Sequence, residues 1–273
     1  MFDSHCHLDA EEYDEDRDAV IARARAVGVR GIMVPGYTPD EWTRLGPLCA
    51  AHRGIVCAVG LHPLYLHELG EGQRDAALTR LEPMLRELGA LAVGECGLDA
   101  PVARKGGADL ETQSAVVDAH VELARALGLP IILHCVRAHG RMLTLLERHG
   151  ALPRGGVMHA YGGPVELIER YARLGFSFSF GGIVTHEGAK KPRLALAQVP
   201  LARLLVETDG PSQVPSGSTR PRSEPADIAK VLAAAARLRG EPVTLLAERT
   251  WHNTLALFGC DPAHFQPPGE LLA

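Results

Sequence analysis

His5 and His7 stand two residues apart, and Glu95, His134, His159 and Asp209 each close a short apolar run elsewhere in the chain. Imidazole nitrogens and carboxylate oxygens are the donors that borderline and hard divalent cations prefer. On a strand, residues i and i+2 face the same side, so His5 and His7 could reach one ion together. A lone His-x-His pair is weak, and the other four residues give it force. Residues 91–94 run into Glu95, 130–133 into His134, 156–158 into His159, and 204–206 into Glu207-Thr208-Asp209. The donors are all nitrogen or oxygen, which suits Zn²⁺, Mn²⁺, Fe²⁺, Co²⁺ or Ni²⁺ and, with more water ligands, Mg²⁺. Six donors exceed the usual three protein ligands of a single catalytic zinc, so two divalent metal ions sharing a carboxylate are expected. Ions about 3.5–4 Å apart can clamp the attacking and leaving oxygens of a displacement at phosphorus or carbonyl carbon. The chemistry expected is metal-dependent hydrolysis.

The elements that must carry these groups repeat along the chain. Strand candidates at 1–3, 31–34, 55–59, 91–94, 130–133, 156–158, 176–180 and 204–206 alternate with helical patterns. Thr38-Pro39-Asp40-Glu41 has the form of a capping box with proline at the first helical position. Gly28, Gly128 and Gly150 follow periodic segments, where a left-handed cap is wanted. Gly163-Pro164 opens another helix, and two more close the chain near 225–238 and 242–258. Repeated strand–helix units imply parallel strands with helical crossovers. About eight such units suit a TIM-type (β/α)₈ barrel, with an open doubly wound sheet as the alternative. In a barrel all strand C-termini share one rim, where the six donors would meet. No repeat or low-complexity stretch marks a boundary, so one α/β domain over 1–273 is expected. The irregular stretches 96–107 and 209–223 follow strands and are expected over the site.

The composition is that of a globular protein, with 46% apolar and 22% charged residues. A net charge of −5 gives no overall basic field for nucleic acid or an acidic membrane. A modest basic lip could still come from Lys190-Lys191 and Arg220/Arg222. The cysteines at 6, 49, 57, 96, 135 and 260 form no C-x-x-C pair, which argues against a disulfide framework or a zinc ribbon. Cys6 and Cys135 are expected to face the helices as small packing groups. The start Met1-Phe2-Asp3-Ser4-His5 lacks the basic and apolar regions of a signal peptide, and no apolar run approaches the ~20 residues of a membrane span. The expectation is a reduced, cytoplasmic protein with no membrane contact and no obligate protein partner.

Asp3-Ser4-His5-Cys6-His7-Leu8-Asp9, Gly60-Leu61-His62-Pro63, Gly94-Glu95-Cys96-Gly97-Leu98-Asp99, Leu133-His134-Cys135, His159-Ala160-Tyr161-Gly162-Gly163 and Glu207-Thr208-Asp209-Gly210-Pro211 together resemble the TatD family of metal-dependent deoxyribonucleases. The blocks follow the family's order, and with Asn253-Thr254-Leu255-Ala256-Leu257-Phe258-Gly259 the resemblance covers about residues 1–260. It implies a TIM barrel of the amidohydrolase superfamily that hydrolyses DNA phosphodiester bonds, with single strands or 3′ ends as substrate. It further implies that His5, His7 and Asp209 hold one metal, Glu95 bridges to a second, and His134 and His159 complete that second site. Three positions depart from the family pattern: Val136 stands where arginine is common, with Arg137 next; Tyr161-Gly162-Gly163 replaces Phe-Ser-Gly; and Gly210 replaces alanine. All three leave the metal ligands intact and bear on substrate choice.

Within this frame Asp209 and Glu95 are the expected catalytic carboxylates. Asp209 is expected to take the proton of an attacking water, with a purely electrostatic role as the alternative. His62 should face the same rim and hydrogen-bond a phosphate oxygen, with ordering of its own loop as the alternative, and Asp99 should support a loop or back a ligand histidine. Arg137 and His186 are candidate substrate contacts. Glu224-Pro225 would fix the rim or start a helix. His52, His67, His120, His149, His252 and His264 are expected to be solvated or structural. The same water activation serves carbonyl carbon, so an amidase, lactonase or aminoacyl-ester hydrolase is the alternative reading. A non-catalytic metal-binding protein is a further one, against which the complete donor set counts.

Overall fold

A computed structural model describes residues 1–265; the remainder of the domain expected over 1–273 lies outside the described residues. Eight strands form one parallel sheet in sequence order: β1 (Phe2–Asp3), β2 (Gly31–Gly36), β3 (Ile55–Val59), β4 (Ala92–Asp99), β5 (Ile131–Val136), β6 (Gly156–Met158), β7 (Phe176–Phe180) and β8 (Leu204–Val206). Between them run α1 (Arg17–Ala26), α2 (Trp42–Ala51), α3 (Glu71–Leu88), α4 (Ala100–Arg104), α5 (Leu110–Leu127), α6 (His139–His149), α7 (Ile168–Arg173) and α8 (Lys190–Gln198), and α9 (Ile228–Arg239) and α10 (Val243–Phe258) follow β8. Helical crossovers between sequential parallel neighbours make this a (β/α)₈ barrel rather than an open sheet. Among the described residues, no helix is long and apolar enough to cross a membrane.

Side-chain alternation separates two apolar layers. Ile32, Val34, Leu133, Met158, Phe178 and Val206 point outward to the helices, together with Cys6 and Cys135 as the sequence indicates. Met33, Ala92, Ile132, Val157 and Leu205 point inward and form the floor of the barrel with Phe2. The floor is closed from below by Leu255 and Phe258 of α10 and by Phe265. The Phe2 ring lies 5.2 Å from that of Phe265 and 6.4 Å from that of Phe258.

Helix ends follow the sequence signals in part. Asp109 caps α5 by accepting the Thr112 N–H at 2.7 Å, and Gly128 ends it at φ +64°. The Thr38 hydroxyl accepts the Glu41 N–H at 3.4 Å, but the residues from Pro39 to Glu41 form a turn and α2 begins only at Trp42. Residues 96–107 are also more ordered than expected, because β4 continues to Asp99 and α4 follows directly.

The seam between β8 and β1 closes through residues beyond both strands. Ser4 N–H donates to Val206 O at 3.1 Å, Asp209 N–H to His5 O at 2.9 Å, and His7 N–H to Gly210 O at 2.8 Å. Asp3 is fully buried there and accepts both the Thr208 N–H, at 2.9 Å, and the Thr208 hydroxyl. Replacing Asp3 by alanine strands these buried donors, at a cost of about 1–3 kcal/mol each. Asp3→Ala should therefore lose about 2–4 kcal/mol in urea denaturation of the metal-free protein. A loss below about 0.5 kcal/mol, the scale of ordinary surface changes, would show that the seam does not need Asp3.

His120 fits its structural expectation. It is buried, its Nδ1 lies 2.7 Å from Val116 O, and its Nε2 accepts the Leu61 N–H at 3.1 Å. Burial pushes its pKa down to about 4. A histidine depressed in the folded state contributes stability that is complete above its unfolded value, ~6.5, and is lost as pH falls through that value toward 4. Urea midpoints should fall over this window, with a His120 share on the order of 3 kcal/mol at pH 4. His120→Gln should have the shallower slope by about one proton, and equal slopes would remove His120 from the account.

Candidate metal centre

The strands bring Glu95 to the middle of the barrel mouth by a route the sequence hides. Ala92 faces the interior, so strict alternation would turn Glu95 outward. A register shift between Val93 and Cys96 in the β4–β5 pairing reverses the alternation, and Val93, Cys96 and Leu98 all face the helices. Glu95 thus points inward from within the strand rather than from its end. Two close approaches seat it. A Cβ on Gly60 would meet Glu95 O at 2.5 Å, and one on Gly97 would meet His134 O at 2.0 Å.

His5 and His7 also arrive differently from expectation. β1 ends at Asp3, and a bend at Ser4 turns the chain. Ser4 points inward, its hydroxyl 2.8 Å from that of Ser179, and His5 turns inward as well. The two imidazoles still converge, with Nε2 atoms 3.2 Å apart. His5 stacks on His159 with ring centroids 4.0 Å apart.

The Glu95 carboxylate is the hub. Oε2 lies 3.1 Å from His5 Nε2 and 3.5 Å from His7 Nε2. Oε1 lies 2.7 Å from His159 Nε2 and 3.2 Å from His134 Nδ1. Asp209 Oδ1 stands 3.7 Å from both His5 and His7 Nε2. Neither Glu95 oxygen has an aligned hydrogen-bond donor among the described residues, although both are buried. Two donors each ~2.0–2.1 Å from a tetrahedral ion are about 3.3 Å apart, close to most of these spacings, so the cluster has room for shared cations. The close groupings are His5 with His7 and Glu95, His5 with His159 and Asp209, and His62 with Glu95 and His134. His159 therefore lies between the two sets rather than within one.

Without ions, positive charge gathers at the same point. Burial opposes ionisation of Glu95, yet His159, His62 and His5 hold its carboxyl well below the usual range. Burial likewise opposes protonation of His159, which Glu95 and Glu207 nevertheless carry well above its ordinary value. Burial, with neighbouring His5, pushes His7 down to about 3, which keeps its ring neutral and able to donate a lone pair at neutral pH.

The supporting residues divide. Asp99 Oδ2 lies 3.3 Å from His134 Nε2, the expected backing contact. His62 lines the cavity with Nε2 3.1 Å from Glu95 Oε1, and its Nδ1 accepts the Leu64 N–H at 3.2 Å, which orders its loop. Arg137 and His186 do not line the cavity. Arg137 is exposed at φ +54°, and the His186 ring lies 2.9 Å from Val214 O. Half of the expected basic lip is committed elsewhere. Arg220 pairs with Asp227 and Glu224, while Arg222 pairs with Asp16 and lies over Tyr13. Glu224 is buried, is gripped by Arg23 of α1 at 2.8 Å and opens a helical turn, the helix-start role. At Gly210 a Cβ would meet Tyr13 Oη at 2.4 Å, which accounts for glycine where the resembling family commonly has alanine.

Glu207, Gln213 and the Tyr37–Tyr65 pair, none of them among the expected site residues, complete the site. Glu207 is fully buried, accepts the Ala160 N–H at 2.7 Å and lies 3.6 Å from His159 Nδ1. Strict alternation from inward-facing Leu205 would have pointed to it. Gln213 donates to Asp209 Oδ2 at 2.7 Å. Tyr37 and Tyr65 stack with centroids 4.9 Å apart, and Tyr37 lies edge-on to His7 at 4.8 Å.

The cavity over the cluster measures about 270 Å³ and is lined by His7, Glu12, Tyr37, His62, Leu64, Tyr65, Glu95, His134, His159 and Asp209, among others. A larger groove of about 800 Å³ beside α1 and α2 contains none of the six donors. Gly97→Ala should displace His134 and weaken Zn²⁺ or Mn²⁺ binding at least ~10-fold in a competition titration against a chelating dye. Unchanged affinity would mean that β5 can yield without moving the ligand.

Residues 2–259 match the model of the family described as TatD related DNase. The metal-dependent hydrolase YjjV of Escherichia coli K12 is 36% identical over 262 residues, covering 94% of this chain and 97% of that protein. A 3′-5′ ssDNA/RNA exonuclease TatD from Klebsiella pneumoniae strain 342 is 33% identical over 266 residues, covering 96% and 98%. The crystal structure of YjjV superposes with a TM-score of 0.87 at 35% identity, covering 96% of this chain and 98% of the other.

Proposed function

The chain belongs to the TatD related DNase family and is a metal-dependent hydrolase, and on that premise we propose that it cleaves phosphodiester bonds at the ends of single-stranded nucleic acid. The observation that carries this reading is the Glu95 carboxylate, whose two oxygens face different histidine pairs beneath an open cavity. We assign His5, His7 and Asp209 to one divalent ion, Glu95 to a bridge, and His134 and His159 to a second ion. The imidazole-rich donor set favours Zn²⁺ or Mn²⁺ over Mg²⁺. When bound, such ions supply a Lewis acid for phosphoryl oxygens and raise the acidity of a nearby water. The nuclease relatives are named for single-stranded DNA and RNA, which gives the substrate class assigned here.

The chain's own residues do the rest. Gln213 anchors Asp209 Oδ2 at 2.7 Å and leaves Oδ1 turned to the histidines, where it can accept the proton of the attacking water. Without ions, burial raises the Asp209 pKa, with His159 and His5 opposing. Asp99 holds His134 by its far nitrogen and so presents Nδ1 to Glu95. Arg137, exposed at the end of β5, is assigned to a phosphate beyond the cleaved bond. The six cysteines are free, which accords with a reducing, cytoplasmic setting.

A turnover screen of the metal-loaded protein should show cleavage of single-stranded DNA or RNA and of p-nitrophenyl phosphodiesters, and none with His134→Ala. Hydrolysis of carboxyl esters or lactones alone would replace this reading with the acyl-hydrolase one. Asp209→Asn should lower kcat about 10²–10⁴-fold while metal stays bound. Full turnover of that variant with metal in place would remove the proton-accepting role.

A further inference from the structure

One side of the cavity has no part in holding ions. Tyr37 follows β2 directly, at the same rim as the metal-binding side chains. Tyr65 sits in the turn after β3, which is pinned by buried Leu61 and Leu66 and by the His62 N–H to Tyr37 O bond at 3.0 Å. The pinning leaves Leu64 43% exposed and Tyr65 half-buried, both on the cavity wall. The stacked rings of Tyr37 and Tyr65 also line a smaller neighbouring cavity of about 120 Å³, so they stand as a partition between two spaces. The wall beside His7 and His62 is thus aromatic and apolar.

The rest of the lining excludes another mode of recognition. Glu12, Glu95 and Asp209 are acidic, and none of the lining residues is lysine or arginine. A nucleic-acid groove that tracks the backbone needs cations along it, whereas a base can be held by an aromatic face without charge.

We propose that Tyr65, stacked on Tyr37 and flanked by Leu64, is a base-stacking wall that seats the terminal nucleobase of a single-stranded nucleic acid beside the Glu95–histidine cluster. This rests on the nucleic-acid reading above and adds to it that the enzyme recognises a terminal base by stacking. Tyr65 is the position to test, because Tyr37 also touches His7 and its loss would disturb a proposed ligand.

The experiment uses the metal-loaded full chain and two labelled single-stranded oligonucleotides, identical except that one has an abasic 3′-terminal nucleotide. Wild type should cleave the abasic end about 10-fold less efficiently, chiefly through KM. Tyr65→Leu should lower kcat/KM for the intact end about 5-fold, leave the abasic end unchanged and so narrow the intact-to-abasic ratio to about 2-fold, while Tyr65→Phe keeps the wild-type ratio. A Tyr65→Leu variant that slows both substrates equally has lost structure rather than base recognition, and this overturns the proposal. Wild type indifferent to the missing base overturns it without any variant. If wild type cleaves neither oligonucleotide, the nucleic-acid reading falls and the wall with it. Cleavage without base preference leaves that reading standing and removes only the wall.

Discussion

The Glu95 carboxylate is 1% exposed, and an ionised group so far from water must be matched by positive charge at short range. Four imidazoles meet it within 3.5 Å on its two oxygens, and His62 makes a fifth. They come from β5 and from the segments that follow β1, β3 and β6. The carboxylate can therefore be satisfied only when those parts of the barrel are assembled together. Much of the surrounding structure follows from this demand. Gly60 and Gly97 lack side chains where Glu95 and His134 need backbone room, and Asp99 and Glu207 hold the outer edges of two rings.

Placing these groups also requires the barrel to close where its strands are shortest. β1 has two residues and β8 has three, so the strands alone cannot hold the seam. The bonds across it belong to Ser4, His5, His7, Asp209 and Gly210, together with the Asp3–Thr208 pair. Three of these residues are also proposed metal ligands. Backbone closure and side-chain convergence are therefore one event at β1 and β8, and ion binding there reinforces the fold through the same residues.

The barrel and the six donors were legible because Glu95, His134 and His159 directly follow apolar runs, and His5, His7 and Asp209 lie just past one. Strand ends are marked by where hydrophobicity stops, and barrel topology carries those ends to one rim. Side-chain direction was less legible. Alternation mistreats β4, whose register shift turns Glu95 inward, and it mistreats His5, which follows the bend at Ser4. Substrate-side residues were the least legible. Arg137 and His186 were chosen by residue type and sequence position, yet loop geometry keeps both out of the cavity lining. Tyr37 obeys the strand-end rule as well as any histidine does, but it is not a metal ligand and so drew no notice.

Phe2, the inward residues Met33, Ala92, Ile132, Val157 and Leu205, and the plug of α10 leave the barrel with no lower exit. Whatever enters must leave by the same doorway. For the proposed cleavage at strand ends, this means that a nucleic acid cannot be threaded through the protein like rope through a ring. The freed piece would lie deepest in such a dead-end site, and the shortened strand would have to back away before it leaves.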